Sequence, residues 1–254
     1  MDTLFPFLTT NQLILALLIA VCGGFVKGVV GFAMPLVLIS GLTLFIAPEI
    51  ALAGLILPTL VSNMMQSLRQ GPAAAWQSIK FFRVFLIAGG ITLVIAAQMV
   101  RVVPDDVLKL AIGIPVVFFV ALQLTGYHFH LAKRTPLIEV IVGGVAGIMG
   151  GMTGVWGPPT IAYLTTLNTP KYDQMRIQGV IYGLGSVALA GAHIGSGVLR
   201  AETWPFSAAL ILPAALGMWI GGKVMDRIDQ HLFRRATLFV LLVAGANLIR
   251  RAVF

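Results

Sequence analysis

Charge is what this chain has least of. Only 10% of its 254 residues are Asp, Glu, Lys or Arg, and nine of these are acidic, against roughly 25% charged residues in a soluble domain. With 58% hydrophobic residues and a mean hydropathy of +0.97, a water-soluble fold is excluded. The single cysteine, Cys22, permits no intramolecular disulfide and reads as a small packing residue in the first apolar run. Glu49, Glu139 and Asp173 fall at ends of apolar segments, and Asp105, Asp106, Glu202, Asp226 and Asp229 fall in turns. No carboxylate therefore sits mid-segment to carry a proton or bind sodium. The period-two alternation of an outer-membrane barrel is missing, which leaves helices as the spanning structure. HExxH and GxSxG are absent, as are paired membrane carboxylates, so no enzyme and no catalytic residues are expected. The N-terminal MDTLFPFLTTNQL has no basic stretch and no small-residue cleavage frame, so a cleaved signal peptide is not expected.

What is present is apolar length. Ten segments are expected, at 11–27, 32–47, 50–68, 84–100, 106–126, 137–153, 156–168, 174–198, 204–222 and 232–249. The second and seventh are shorter than the roughly 20 residues of a perpendicular span, and each follows a glycine-rich junction. Those junctions match. Gly24, Gly28, Gly31 and Pro35 read GxxxGxxGxxxP, and Gly147, Gly151, Gly154 and Pro158 repeat that spacing 123 residues later. The chain thus reads as one transmembrane domain, 1–254, of two five-element repeats, about 11–126 and 137–249. An odd number of elements starts the second repeat on the opposite side of the membrane, so the repeats are expected to be inverted.

The basic residues bear on that reading. If ten elements alternate, Lys27, Arg69, Lys80, Arg83, Lys133, Arg134, Lys171, Arg176, Lys223, Arg227, Arg234 and Arg235 share one side. Arg101, Lys109, Arg200, Arg250 and Arg251 take the other, a split of 12 to 5. Fusing each glycine-broken pair into one helix gives eight spans and an even 8 to 8 without Lys27. The positive-inside rule favours the ten-element form with both termini outside. The net charge of +8 is scattered through short loops, so topology accounts for it and no nucleic-acid partner is expected. The fold expected is all-α and polytopic, with eight to ten membrane segments and broken or re-entrant helices at the junctions.

Glycines at GxxxG spacing can simply let helices approach closely. The stretch GGVAGIMGGMTGVWGPP (143–159) demands more, because Pro159 has no N–H to continue a helix. A broken helix at membrane depth is tolerated where it is buried in protein or lines a wet cavity, and its free amides suit an anion. Two breaks entering from opposite faces would meet near the midplane as a transport site. The binding candidates are Lys27, Gly28, Gly31 and Pro35 at the first break, and Gly151, Thr153, Gly154, Trp156, Gly157 and Pro158 at the second. Asn63, Gln66, Arg176 and Tyr182 join them from segments that follow. Bland readings stand beside these. Lys27 snorkels to the interface, Arg176 anchors a helix end, and Thr59, Ser62, Asn63, Gln66, Tyr182, Ser186 and His193 hold helices together. His128 and His130 resemble a metal tract only superficially and read as an interfacial cap, so no metal or cofactor is expected. Trp76, Trp204 and Trp219 fit interfacial belts or lipid packing, whereas Trp156 falls inside the second break.

GFVKGVVGFAMPLV and GIMGGMTGVWGPPTIAYL, with TPKYDQMRIQG just after, resemble the sulfite exporter TauE/SafE family of bacterial membrane permeases. The resemblance covers nearly the whole chain. It implies a two-repeat helical permease of the inner membrane moving sulfite, a sulfonate or a related oxyanion or carboxylate. The family's glycine motifs fall on Gly24, Gly28, Gly31 and Pro35 and on Gly147, Gly151, Gly154, Gly157, Pro158 and Pro159, and its basic position on Arg176. Many relatives carry a GxGGG cluster where this chain has Gly31, Phe32, Ala33 and Met34. The expected function is secondary transport of a small anion, with a passive anion channel of the same architecture as the alternative. Expected partners are that anion and membrane lipid, and a homodimer is compatible with the sequence.

Overall fold

The computed structural model describes residues 7–99, 105–125, 134–153, 156–195 and 197–253, and among them every regular element is a helix. The first half holds α1 (Thr10–Val30), α2 (Met34–Leu42), α3 (Pro48–Leu68), α4 (Pro72–Phe81), α5 (Arg83–Met99) and α6 (Asp105–Leu124). The second holds α7 (Pro136–Thr153), α8 (Gly157–Thr166), α9 (Lys171–Gly195), α10 (Trp204–Ala209), α11 (Ile211–Arg227) and α12 (Gln230–Val253). Thr10–Val30, Glu49–Leu68, Trp204–Arg227 and Gln230–Val253 are each long and apolar enough to cross a membrane. The α4–α5 pair is long and apolar enough only when its two helices are taken together, and it bends by 77° at the break between them, as a broken span or a re-entrant loop does. The protein is an all-α, polytopic membrane protein. Its outward residues, such as Leu18, Ile87, Phe118, Leu212 and Phe239, are large and apolar because the surrounding solvent is lipid.

Local chemistry sets the element ends. Thr9 and Gln12 form a reciprocal capping box at the start of α1, with Thr9 N–H donating to Gln12 Oε1 (2.9 Å) and Gln12 N–H to Thr9 Oγ1 (3.3 Å). α1 runs three residues past its expected end and stops at Gly31, whose φ of 87° is left-handed. Ala33 is also left-handed (φ 71°), and α2 then starts at Met34, with Pro35 in its first turn, and lasts nine residues. At 1.5 Å per residue α2 and the ten-residue α8 cover about half of a ~30 Å hydrocarbon core. The expected segments 32–47 and 156–168 thus contain half-length helices finished by turns. α4 was not among the expected segments. Its sequence, PAAAWQSIKF, is only moderately apolar, and it ends in a kink at Phe82 that turns the chain into α5.

The packing repeats with the sequence. The most extensive contacts pair α1 with α11, α5 with α7, α3 with α9 and α6 with α12. Exchanging the two halves turns the first contact into the second and returns the other two onto themselves. Glycine makes the first two possible. A Cβ on Gly24 would lie 2.0 Å from Ala214 O, and one on Gly147 would lie 2.1 Å from Gly89 O. Pro58, inside α3, leaves Gly54 O without its helical donor. Ser207 of α10 donates to that carbonyl (3.2 Å) and accepts from Leu57 N–H (3.1 Å), so a neighbouring hydroxyl closes the gap. Ion pairs sit at both ends of α3: Glu49 with Arg200 (2.6 Å) and Arg69 with Asp226 (2.7 Å).

Candidate functional site

Both helix breaks face one small cavity of about 30 Å³. Phe32, Ala33, Pro35 and Leu36 line it from the first break, and Trp156, Gly157 and Pro158 from the second. Lys27 of α1, Thr59 and Asn63 of α3 and Tyr182 of α9 complete the wall. A cavity of this size has room for about two water molecules.

Lys27 is the one charged side chain among the described lining residues and is 1% exposed. Its ammonium donates to Asn63 Oδ1. The Asn63 amide is held for this, because its Nδ2 donates to Tyr182 O (3.1 Å) and Ser186 Oγ (3.3 Å). No Asp or Glu is among the lining residues. An ammonium has three donors, and one neutral acceptor leaves its charge uncompensated. Insertion scales put the cost of such a charge at about 2.5–3.5 kcal/mol. Thr59 Oγ1, 4% exposed and on the same wall, has no hydrogen-bond partner. The cavity thus holds a positive charge and an unspent hydroxyl, both suited to an anion. Backbone amides add less than the helix breaks suggest by themselves, because Pro35, Pro158 and Pro159 remove three N–H groups from the first turns of α2 and α8.

Of the candidates named from sequence, Lys27, Pro35, Asn63, Trp156, Gly157, Pro158 and Tyr182 come together here. Tyr182 donates to Gly157 O (3.4 Å), and its ring lies 6.3 Å from that of Trp156. The others are placed elsewhere. Gly28 lies against α11, where a Cβ would stand 2.3 Å from Met218 O, so its small size serves helix packing. Gly31 and Gln66 form the support beneath the first break. Gln66 Nε2 donates to Gly31 O (3.1 Å) and Met175 O (2.7 Å), and the Gln178 amide, turned nitrogen-inward, donates to Val30 O (3.2 Å) and Gly31 O (3.1 Å). Two glutamines thereby satisfy carbonyls that the end of α1 leaves open. Arg176 sits apart from this cavity, bonded to Ser78 Oγ (2.8 Å), Gln70 Oε1 and Asp173 (2.9 Å). Gly151 is in the last turn of α7 and does not line the cavity. Gly154 and the Thr153 side chain lie outside the described residues, as do His128 and His130. Among the described residues no three of His, Cys, Asp and Glu cluster as metal ligands.

Thr59, Phe32, Ala33 and Leu36 were not among the candidates. A signal for Thr59 existed: it stands 123 residues before Tyr182, the offset that relates the two glycine motifs, and Asn63 stands 123 before Ser186. Among known proteins, the model of one family, described as sulfite exporter TauE/SafE, matches residues 16–248. Neither a curated protein nor a solved structure matches the chain.

Proposed function

The chain belongs to the sulfite exporter TauE/SafE family, a family of exporter-type membrane permeases, and from that premise we propose that it is a secondary transporter of a small anion. The anion, a sulfonate, sulfite or a related oxyanion or carboxylate, binds in the cavity between the two helix breaks. Lys27 neutralises it, Asn63 holds the ammonium in place, and Thr59 donates a further hydrogen bond. The observation that carries this reading is the buried Lys27, which faces a cavity with no Asp or Glu among its described lining residues. The two repeats are inverted in the inner membrane with both termini periplasmic, and they rock about the site by alternating access. The small volume of the cavity supports this, since a guest larger than two waters needs the breaks to part.

The test uses purified protein. Anions should raise the unfolding temperature of the wild type, because a ligand of the folded state stabilises it, and Lys27→Met should remove that rise. In proteoliposomes, internal unlabelled anion should accelerate uptake of labelled anion. Flux without such counterflow would identify a channel, and an undiminished thermal response in Lys27→Met would sink the site.

A further inference from the structure

The cavity is one-sided in its chemistry. Its polar groups gather around Lys27, while Phe32, Leu36, Pro158 and the Trp156 indole form an apolar wall. Trp156 also lines a second, larger cavity of about 200 Å³ between α5, α7 and α9, otherwise walled by residues such as Leu86, Leu93, Ile181 and Gly90. The indole is the partition between the two spaces. It is clamped in a slot of glycines, where a Cβ on Gly150 would come 2.5 Å from its Cε3 and one on Gly185 would come 2.9 Å from its Cζ2.

We propose that this permease takes a monovalent organic anion, whose charged group rests on Lys27 and whose short apolar substituent is measured by Trp156. The proposal rests on reading this cavity as the anion site. One ammonium neutralises one charge, and the prolines at both helix starts leave few amides for a second, so a dianion would bury an unpaired charge. A substituent of one or two carbons gains contact with the apolar wall, at roughly fourfold in affinity per methylene. A longer one meets the indole face and stops there. Sulfonate and carboxylate heads share the chemistry that Lys27 and Thr59 recognise.

Thermal-shift and competition binding on purified full-length protein test this with methane-, ethane-, butane- and hexanesulfonate, the matching alkanoates, and sulfate and 1,2-ethanedisulfonate as dianions. Lys27→Met protein supplies the background from partitioning into detergent. In the wild type, ethanesulfonate should bind at least tenfold tighter than hexanesulfonate and at least tenfold tighter than either dianion. The alkanoate series identifies which head is preferred, and the same chain-length limit should appear in it. Trp156→Ala joins the two cavities and should tighten hexanesulfonate about tenfold or more. Gly90→Leu, which grows into the open second cavity, should reverse that gain in the double variant and leave ethanesulfonate binding unchanged in the wild type. Trp156→Phe should give a smaller extension and keeps the test available if the alanine variant does not fold. Equal affinity for short and long chains in the wild type, equal binding of dianions, or an unmoved chain-length limit in the Trp156 variants would overturn the proposal while anion binding itself stands. Binding of no anion at all would overturn the anion-site reading and this proposal with it.

Discussion

At the first break a lysine on α1 reaches the cavity and the break residue Ala33 is small. At the positions 123 residues later stand Gly150 and Trp156, a glycine on the helix and a bulky ring in the break. The frame is common to both, with glycines seating each helix against its neighbour and a proline opening each half-length helix. The occupant differs. Two lysines at equivalent positions would bring two ammoniums into about 30 Å³, and their repulsion at low dielectric would be severe. At the matching offset in the second half an indole fills that space, so the cavity has a charged side and an apolar side.

Removing the feature unique to the first break should have the largest effect. Lys27→Met should weaken anion binding by more than about a hundredfold, on the order of the 2–5 kcal/mol for losing one partner of a buried charge pair. The same change should raise the unfolding temperature of the ligand-free protein, because an uncompensated buried cation is replaced by an apolar chain of similar length. Replacing a lysine that served only packing would instead lower the unfolding temperature and leave anion affinity unchanged. Asn63→Asp sharpens the point at nearly constant volume. A carboxylate in hydrogen-bond contact with the ammonium would take the place of the guest, so binding should fall about a hundredfold while ligand-free stability rises. Calorimetry and thermal unfolding on the purified variants measure both quantities.

Much of this was legible in the sequence, and the portion that was not has physical causes. The break at Gly31 and the one before Gly157 follow from glycine and proline placement, and composition alone fixes lipid as the solvent. Periodicity could not say that Gly28 faces α11 rather than the cavity, because a glycine in a helix carries no side chain to reveal its face. Arg176 stands within a turn of Asp173 in sequence, but its bonds to Gln70 and Ser78 are long-range and follow only from the fold. The bend at Phe82 leaves little trace in the sequence because α4 is moderately apolar and so gives a weak hydropathy signal. Thr59 was visible as a polar residue in mid-segment, but its relation to Tyr182 emerges only when the glycine offset is carried across to α3 and α9.

The shared frame makes a weaker prediction, one of likeness. Gly24→Ala and Gly147→Ala each push a methyl to about 2 Å from a backbone oxygen on the facing helix. Each should therefore destabilise by about 1–3 kcal/mol, as overpacking does, and by similar amounts. A large loss at one site and none at the other would break the equivalence of the two seams. Thermal unfolding of the two variants in the same detergent decides it.

Thr59→Val should give the smallest effect and tests the polar side of the cavity without touching its charge. The hydroxyl has no partner in the ligand-free protein, so replacing it with a methyl of nearly equal size removes an unsatisfied buried group. Ligand-free stability should therefore hold or rise by about 1 kcal/mol, whereas a threonine that served helix packing through a hydrogen bond would lose stability. Anion affinity should fall about fivefold, the worth of one modest hydrogen bond. Opposite signs for stability and affinity in a single variant distinguish a group reserved for a guest from one that holds the helices together. Arg176→Gln supplies the contrast on the same instrument: its bonds are to Asp173, Gln70 and Ser78, away from the cavity, so affinity should stay within about twofold.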